Sequence, residues 1–188
     1  HPEFVAADLI SQAEHDELAS AVLVTPSMEL AQRVEAALER QVSTTTHRER
    51  VTTALTGEQS AILVVDTLEK AVDVANALAP EHLEIMVESP EDILASIRHA
   101  GAIFVGDYTP VSAGDYLAGS NHVLPTMGGA RFISGLSPLT FLRSQQVVEY
   151  DKAALGQVAD AIVALAEAEN LPAHGDAITS RFPDSTEL

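Results

Sequence analysis

Residues 79–85, Ala79-Pro80-Glu81-His82-Leu83-Glu84-Ile85, decide how the chain is read. A helical pattern opens after Thr67, a residue suited to capping, and runs to about Leu78. Pro80 stops it, and a short apolar strand, Leu83 to Val87, follows. Outward from this helix-to-strand junction the same alternation recurs. Buried strands are expected at Ala21–Thr25 (AVLVT), Ala61–Val65 (AILVV) and Ala102–Val105 (AIFV). Helices are expected at Pro2–His15, Met28–Ser43 with Ser27 as cap, and Arg48–Leu55, with a short one from Pro90. Alternating strands and helices predict an α/β fold: a mainly parallel sheet flanked by helices, as incomplete Rossmann-like units, with a C-terminal helical tail. Ala153–Ala168 is the strongest amphipathic stretch of that tail, and a last short helix is expected over His174–Arg181.

Composition narrows the function classes. Hydrophobic residues make up 46% of the 188 and aromatics only 4%, so Ala, Val, Leu and Ile must fill the core. The formal net charge of −18 repels phosphate backbones and argues against nucleic-acid binding. Without cysteine there is neither disulfide nor thiolate chemistry, and a zinc site would have to use His, Asp, Glu or Gln. No apolar run has the roughly 18 residues needed to span a bilayer, and no signal-like segment precedes the first helix. A cytoplasmic protein without a membrane partner is the expectation. The start at His1, entering a helix within a few residues, reads as a cut from a longer protein.

Three segments are expected: 1–78, an α/β segment carrying Gln12 and His15; 79–136, an α/β segment with a catalytic loop region; and 137–188, a helical tail turning helical from about Pro138. Residues 106–135, rich in Gly, Ser, Thr and Pro with charged and aromatic residues interspersed, read as a functional loop.

Four constellations could carry chemistry. Gln12 and His15, three apart on one helix, can face one ligand, although a plain polar helix face has the same pattern. Glu81 and His82 place a carboxylate beside an imidazole, the two commonest proton-transfer groups, or else simple polar loop residues after a proline. In the loop, Asp115 lies between Gly114 and Gly119, with Asn121-His122 close behind. Asp115 suits a metal and His122 a substrate contact, while turn formation is the plainer role for Asp and Asn. Glu169 and His174 flank a helix break and can project from one corner, while a helix C-terminus whose dipole His174 meets is the plainer reading. His1, His47 and His99 are given no role. No GxGxxG, Walker A or nucleophile-elbow motif is present.

Together the segments DLISQAEH, APEHLEI, GAIFVGDYTPVSAGDYLAGSNHVLPT, ARFISGLS and AEAENLPAH resemble, in order and spacing, the C-terminal part of histidinol dehydrogenase. The resemblance covers essentially the whole chain but less than half of such an enzyme. It implies a zinc-dependent oxidoreductase that oxidises L-histidinol to L-histidine through L-histidinaldehyde, with two NAD, in histidine biosynthesis. It implies Gln12, His15, Asp115 and His174 as zinc ligands and Glu81 and His82 as the catalytic proton acceptors. Gln12, His15, His82, Asp115, Glu169 and His174 would contact substrate, with His122 a weaker candidate. The tail would reach a partner subunit in a homodimer, where Glu169 and His174 complete the neighbour's site. The family's nucleotide contacts lie outside these segments, so the isolated chain is expected not to turn over. A non-catalytic metal-binding or dimerisation fragment is the alternative, and an unrelated zinc hydrolase a third reading, disfavoured by the lack of HExxH.

Overall fold

The structure is a computed structural model that describes residues 1–182. The described chain divides into two compact units, His1–Leu142 and the residues from Arg143 onward. Segments 1–78 and 79–136 both fall within the first.

In the first unit, helix α1 (Pro2–Ala13) leads to strand β1 (Val22–Thr25), helices α2 (Met28–Val42) and α3 (Arg48–Thr56), and strand β2 (Ala61–Val64). Helix α4 (Leu68–Leu78), strand β3 (His82–Ile85), the single turn α5 (Glu91–Leu94), strand β4 (Ala102–Val105) and helix α6 (Val111–Tyr116) follow. The expected caps form: Ser27 Oγ accepts from Leu30 N–H at 3.1 Å and Thr67 Oγ1 from Lys70 N–H at 3.3 Å. Each satisfies one of the donors a helix start leaves free.

The strands are parallel, as the alternation predicts, and they pair as two two-stranded sheets, β1 with β2 and β3 with β4. A parallel pair needs a crossover, which α2–α3 supply for the first sheet and α5 for the second. Strand β3 begins at His82 rather than Leu83 and ends at Ile85 rather than Val87. Register sets this start, because His82 stands opposite Ala102.

The core is built of small side chains, as scarce aromatics require. Ala6, Val34 and Ala37 are fully buried between α1 and α2. Ala13, Val51 and Ala54 do the same where the end of α1 meets α3. Arg50 Nη1 also donates to Glu14 O at 3.1 Å, so the C-terminus of α1 is held against α3 by packing and a hydrogen bond. That end carries Gln12 and His15.

Parallel strands are normally covered on both faces. Here Ile62 and Val64, on one face of β2, are 36% and 41% exposed. The chain in isolation is therefore expected to self-associate, and an Ile62→Lys/Val64→Lys pair to reduce the associated fraction. Light scattering checks this; equal association in parent and variant would contradict it.

In the second unit, Asp151 caps helix α7 (Lys152–Ala168), its Oδ1 accepting from Ala154 N–H at 2.7 Å. Helix α8 (Pro172–Thr179) packs back on α7, with Gly175 facing Val163 and Ala166. Two boundaries need correcting. The tail is not helical from Pro138 onward: a 3-10 turn, Pro138–Phe141, is followed by irregular chain up to Asp151. The last helix starts at Pro172, not His174, because proline with its preset φ suits the first helical turn.

Candidate functional site

The second sheet and α6 assemble the site. Ala79 closes α4 in the left-handed conformation (φ 50°, ψ 59°), turning the chain toward β3. Gly101 N–H then bonds Pro80 O at 2.9 Å and Ala102 N–H bonds Glu81 O at 2.8 Å. Glu81 and His82 are thereby fixed by backbone at the entry of β3.

Asp115 does not lie in a loop between glycines, as expected, but on α6. Pro110 starts this helix, and Glu84 Oε1 accepts from Val111 N–H at 2.9 Å. Gly114 is buried against Phe104: a Cβ there would lie 2.6 Å from the ring. The helix is made by tertiary contacts that local composition does not announce. After it, Asn121 fixes the loop, its Nδ2 donating to Leu136 O at 2.6 Å and its Oδ1 accepting from Val123 N–H at 3.0 Å. That anchor holds His122.

Four side chains meet. His82 Nε2 lies 2.7 Å from His122 Nε2, and the rings stack at 4.9 Å. His122 Nε2 lies 2.9 Å from Asp115 Oδ1. On the other side, His82 Nδ1 is 3.3 Å from Gln12 Oε1. Phe104 meets the His82 ring edge-on at 6.1 Å. Glu81 Oε1 stands 4.0 Å from His82 Nε2. Burial pushes the His82 imidazole below its ordinary value, while the Glu81 carboxylate pulls the other way.

Donor atoms of His82, Asp115 and His122 all lie within 4.8 Å of one another. A carboxylate oxygen and two imidazole nitrogens are chemically suited to a zinc-like divalent cation. This group shares only Asp115 with the ligand set implied by the resemblance, although Gln12 touches it through His82. His15 lies just past the end of α1, not within it, but its N–H bonds Gln12 O at 3.3 Å, so the three-residue spacing still brings the two together. Both line a small polar cavity with Asp8, Ser11, Glu84 and Val111. A larger cleft of about 380 Å³ opens beside His122, lined by Phe104, Gly114, Asn121 and Leu136. Glu169 ends α7 and His174 lies in α8, both in the second unit.

Sequence reasoning missed Asp8 and Glu84. Burial and the neighbouring Asp8 carboxylate push Glu84 up from 4.5 to about 7, and burial also raises Asp8. The signal was available for Asp8, which falls on the same helix face as Gln12 and His15. A raised folded pKa means the native state holds the proton more tightly. The stabilisation is complete below the unfolded value of 4.5 and is lost as pH rises through about 7. Glu84→Gln keeps the acceptor for Val111 N–H and removes the ionisation. Its thermal midpoint is expected to gain on the parent's as pH climbs through that window. Parallel pH profiles for the two proteins would refute this.

The family model described as histidinol dehydrogenase matches residues 1–182. The histidinol dehydrogenase of Thermobifida fusca is 62% identical over 183 residues, covering 97% of this chain and 42% of that protein. That of Mycobacterium bovis is 61% identical over 181 residues, covering 96% and 41%. The crystal structure of histidinol dehydrogenase from Elizabethkingia anophelis superposes with a TM-score of 0.83 at 37% identity, over 97% of this chain and 42% of that one. The chain thus spans about two-fifths of the length of the relatives it matches.

Proposed function

The chain belongs to the histidinol dehydrogenase family, and from that premise we propose that it supplies the base and metal-binding part of a zinc- and NAD-dependent enzyme oxidising L-histidinol to L-histidine. The observation that carries this reading is the placement of Glu81 and His82 at the head of β3, with His82 in contact with Gln12 and His122. The adjacent cleft of about 380 Å³ is of the size that small-molecule sites occupy.

The proposed roles follow from the chemistry of each side chain. Burial favours the neutral form of the His82 imidazole, which can accept a proton, so His82 takes the proton of the substrate hydroxyl as hydride departs to NAD. The second oxidation needs water added to the aldehyde, and the Glu81 carboxylate accepts a proton from that water. Gln12, His15 and Asp115 would hold zinc together with the His174 that the neighbouring subunit contributes. When bound, the metal supplies a template that orients the substrate's imidazole and amine. Glu169 and His174, on the second unit, serve the neighbouring subunit's site in a homodimer. NAD contacts come from parts of the enzyme outside this chain, which carries no Gly-rich dinucleotide loop, so the 188 residues alone do not turn over. Among the described residues no helix is long and apolar enough to cross a membrane, in keeping with a cytoplasmic biosynthetic enzyme.

The test uses a full-length protein carrying this chain. Addition of L-histidinol is expected to reduce NAD, chelation to abolish the reduction and zinc to restore it. Zinc binding without any NAD reduction would favour the non-catalytic reading instead.

A further inference from the structure

Strand β3 presents His82 and Glu84 on one face, since residues two apart in a strand point the same way. Both side chains meet the helices that build the site. His82 Nδ1 lies 3.3 Å from Gln12 Oε1 on α1. Glu84 reaches two helices at once. Its Oε1 accepts from Val111 N–H, at the start of α6, at 2.9 Å, and Asp8 of α1 bonds the same carboxyl group. Glu84, Val111, Asp8, Ser11, Gln12 and His15 enclose one small cavity. The Glu84 carboxyl group thus sits where α1, which carries Gln12 and leads to His15, approaches α6, which carries Asp115.

We infer that Glu84 is a positioning residue for the metal: by accepting the Val111 N–H it sets where α6 presents Asp115 to Gln12 and His15. This rests on the reading of those three as zinc ligands. Helix α6 has only six residues, too few to keep its place by its own hydrogen bonds. Its cap residue is Pro110, whose side chain cannot accept a hydrogen bond, so Glu84 supplies the acceptor from another element. A second tether lies within the helix, where Gly114 packs so closely on Phe104 that a Cβ would lie 2.6 Å from the ring. Asp115 follows directly, its Oδ1 2.9 Å from His122 Nε2. Two tethers fix the helix; with Glu84 removed, α6 pivots about Gly114 and carries Asp115 with it. Glu84 takes no part in the proton transfers given to Glu81 and His82.

The experiment measures zinc affinity by competition with a chromogenic chelator, in a full-length protein carrying this chain. Visible spectra of the cobalt-substituted proteins and thermal midpoints of the metal-free proteins accompany it. Glu84→Leu removes the acceptor, and Val111→Pro removes the donor. Proline suits that first helical position, and Pro110, at φ −68° and ψ 157°, already has the extended backbone that a following proline requires. Both variants are expected to weaken zinc binding about 10- to 100-fold, the usual loss when a group that orients a metal's ligands is removed. Both should also shift the cobalt bands. Glu84→Gln, whose amide oxygen still accepts from Val111 N–H and whose amide N–H can donate to Asp8, should bind zinc as the parent does. A role confined to stability would lower the metal-free midpoint and leave zinc affinity and the cobalt bands unchanged; that result overturns the proposal, as does a Glu84→Gln protein as weak as Glu84→Leu. If Glu84→Leu does not fold, Val111→Pro decides. Asp115→Ala separates this from the ligand reading. Zinc lost there but held at parent affinity in Glu84→Leu and Val111→Pro overturns the role of Glu84 alone, whereas parent affinity in Asp115→Ala overturns the ligand reading and the proposal with it.

Discussion

Replacing His82 by asparagine in a full-length protein carrying this chain is expected to lower turnover of L-histidinol by about 10²- to 10⁴-fold, the usual worth of a positioned acid–base group. Zinc content is expected to stay at the parent level. The second readout matters because the structure offers His82 two roles. As a base it would act beside Glu81, whose Oε1 lies 4.0 Å from His82 Nε2, with Gln12 Oε1 3.3 Å from Nδ1. As a member of the His82, Asp115 and His122 donor group it would hold the metal itself. Asparagine preserves approximate size and a polar contact to Gln12, so a fold-wide collapse is not expected. Loss of zinc together with activity would assign His82 to the metal and contradict its role as base. Elemental analysis beside steady-state kinetics separates the two.

Gly101→Ala is the second large effect. A Cβ at Gly101 would lie 2.5 Å from Glu81 O, 3.2 Å from its Cα and 3.3 Å from its carbonyl carbon. All three are backbone atoms, so no side chain can swing aside. The two chains are also tied at this point by Gly101 N–H to Pro80 O and Ala102 N–H to Glu81 O. Either these bonds break or β3 moves. Overpacking of this kind typically costs about 1–3 kcal/mol. Denaturant titration of the chain should show that loss, and the displaced Glu81–His82 pair should lower activity in the full-length protein as well. A variant with parent stability and parent activity would mean that the close approach at Gly101 is not needed.

How far the chain can be read without its structure follows from the range of the interactions. Ser27 and Thr67 are legible as caps because capping is settled within three residues. The strands Ala21–Thr25 and Ala61–Val65 are legible because their apolar runs are short and bounded by turn residues. Helix α6 is not legible. Val111-Ser112-Ala113-Gly114-Asp115-Tyr116 reads as loop, and it folds as helix because Glu84 takes up a free N–H at its start and Phe104 packs on Gly114. β3 starts at His82 rather than Leu83 for a similar reason, since its partner Ala102 sets the register.

The candidate site divides the same way. Glu81, His82, Gln12, His15 and Asp115 stand out in short motifs, and the structure joins Gln12, His82 and Asp115 through a single network. The contact that joins them, His82 to His122, spans 40 residues and has no local signature. The same holds for Glu84, whose pKa is raised by burial and then by Asp8 across the gap between α1 and β3. Local chemistry named the reactive groups, and tertiary packing arranged them.

Glu81 and His82 are proposed to divide the two stages of one oxidation between them. The most direct test counts NADH formed per L-histidinol consumed in a single turnover of the full-length protein, beside its Glu81→Gln variant. Two NADH per histidinol are expected for the parent and a fall toward one for the variant, which still removes the hydroxyl proton but no longer activates water. Two NADH from the variant, or equal loss of both oxidations, would contradict it.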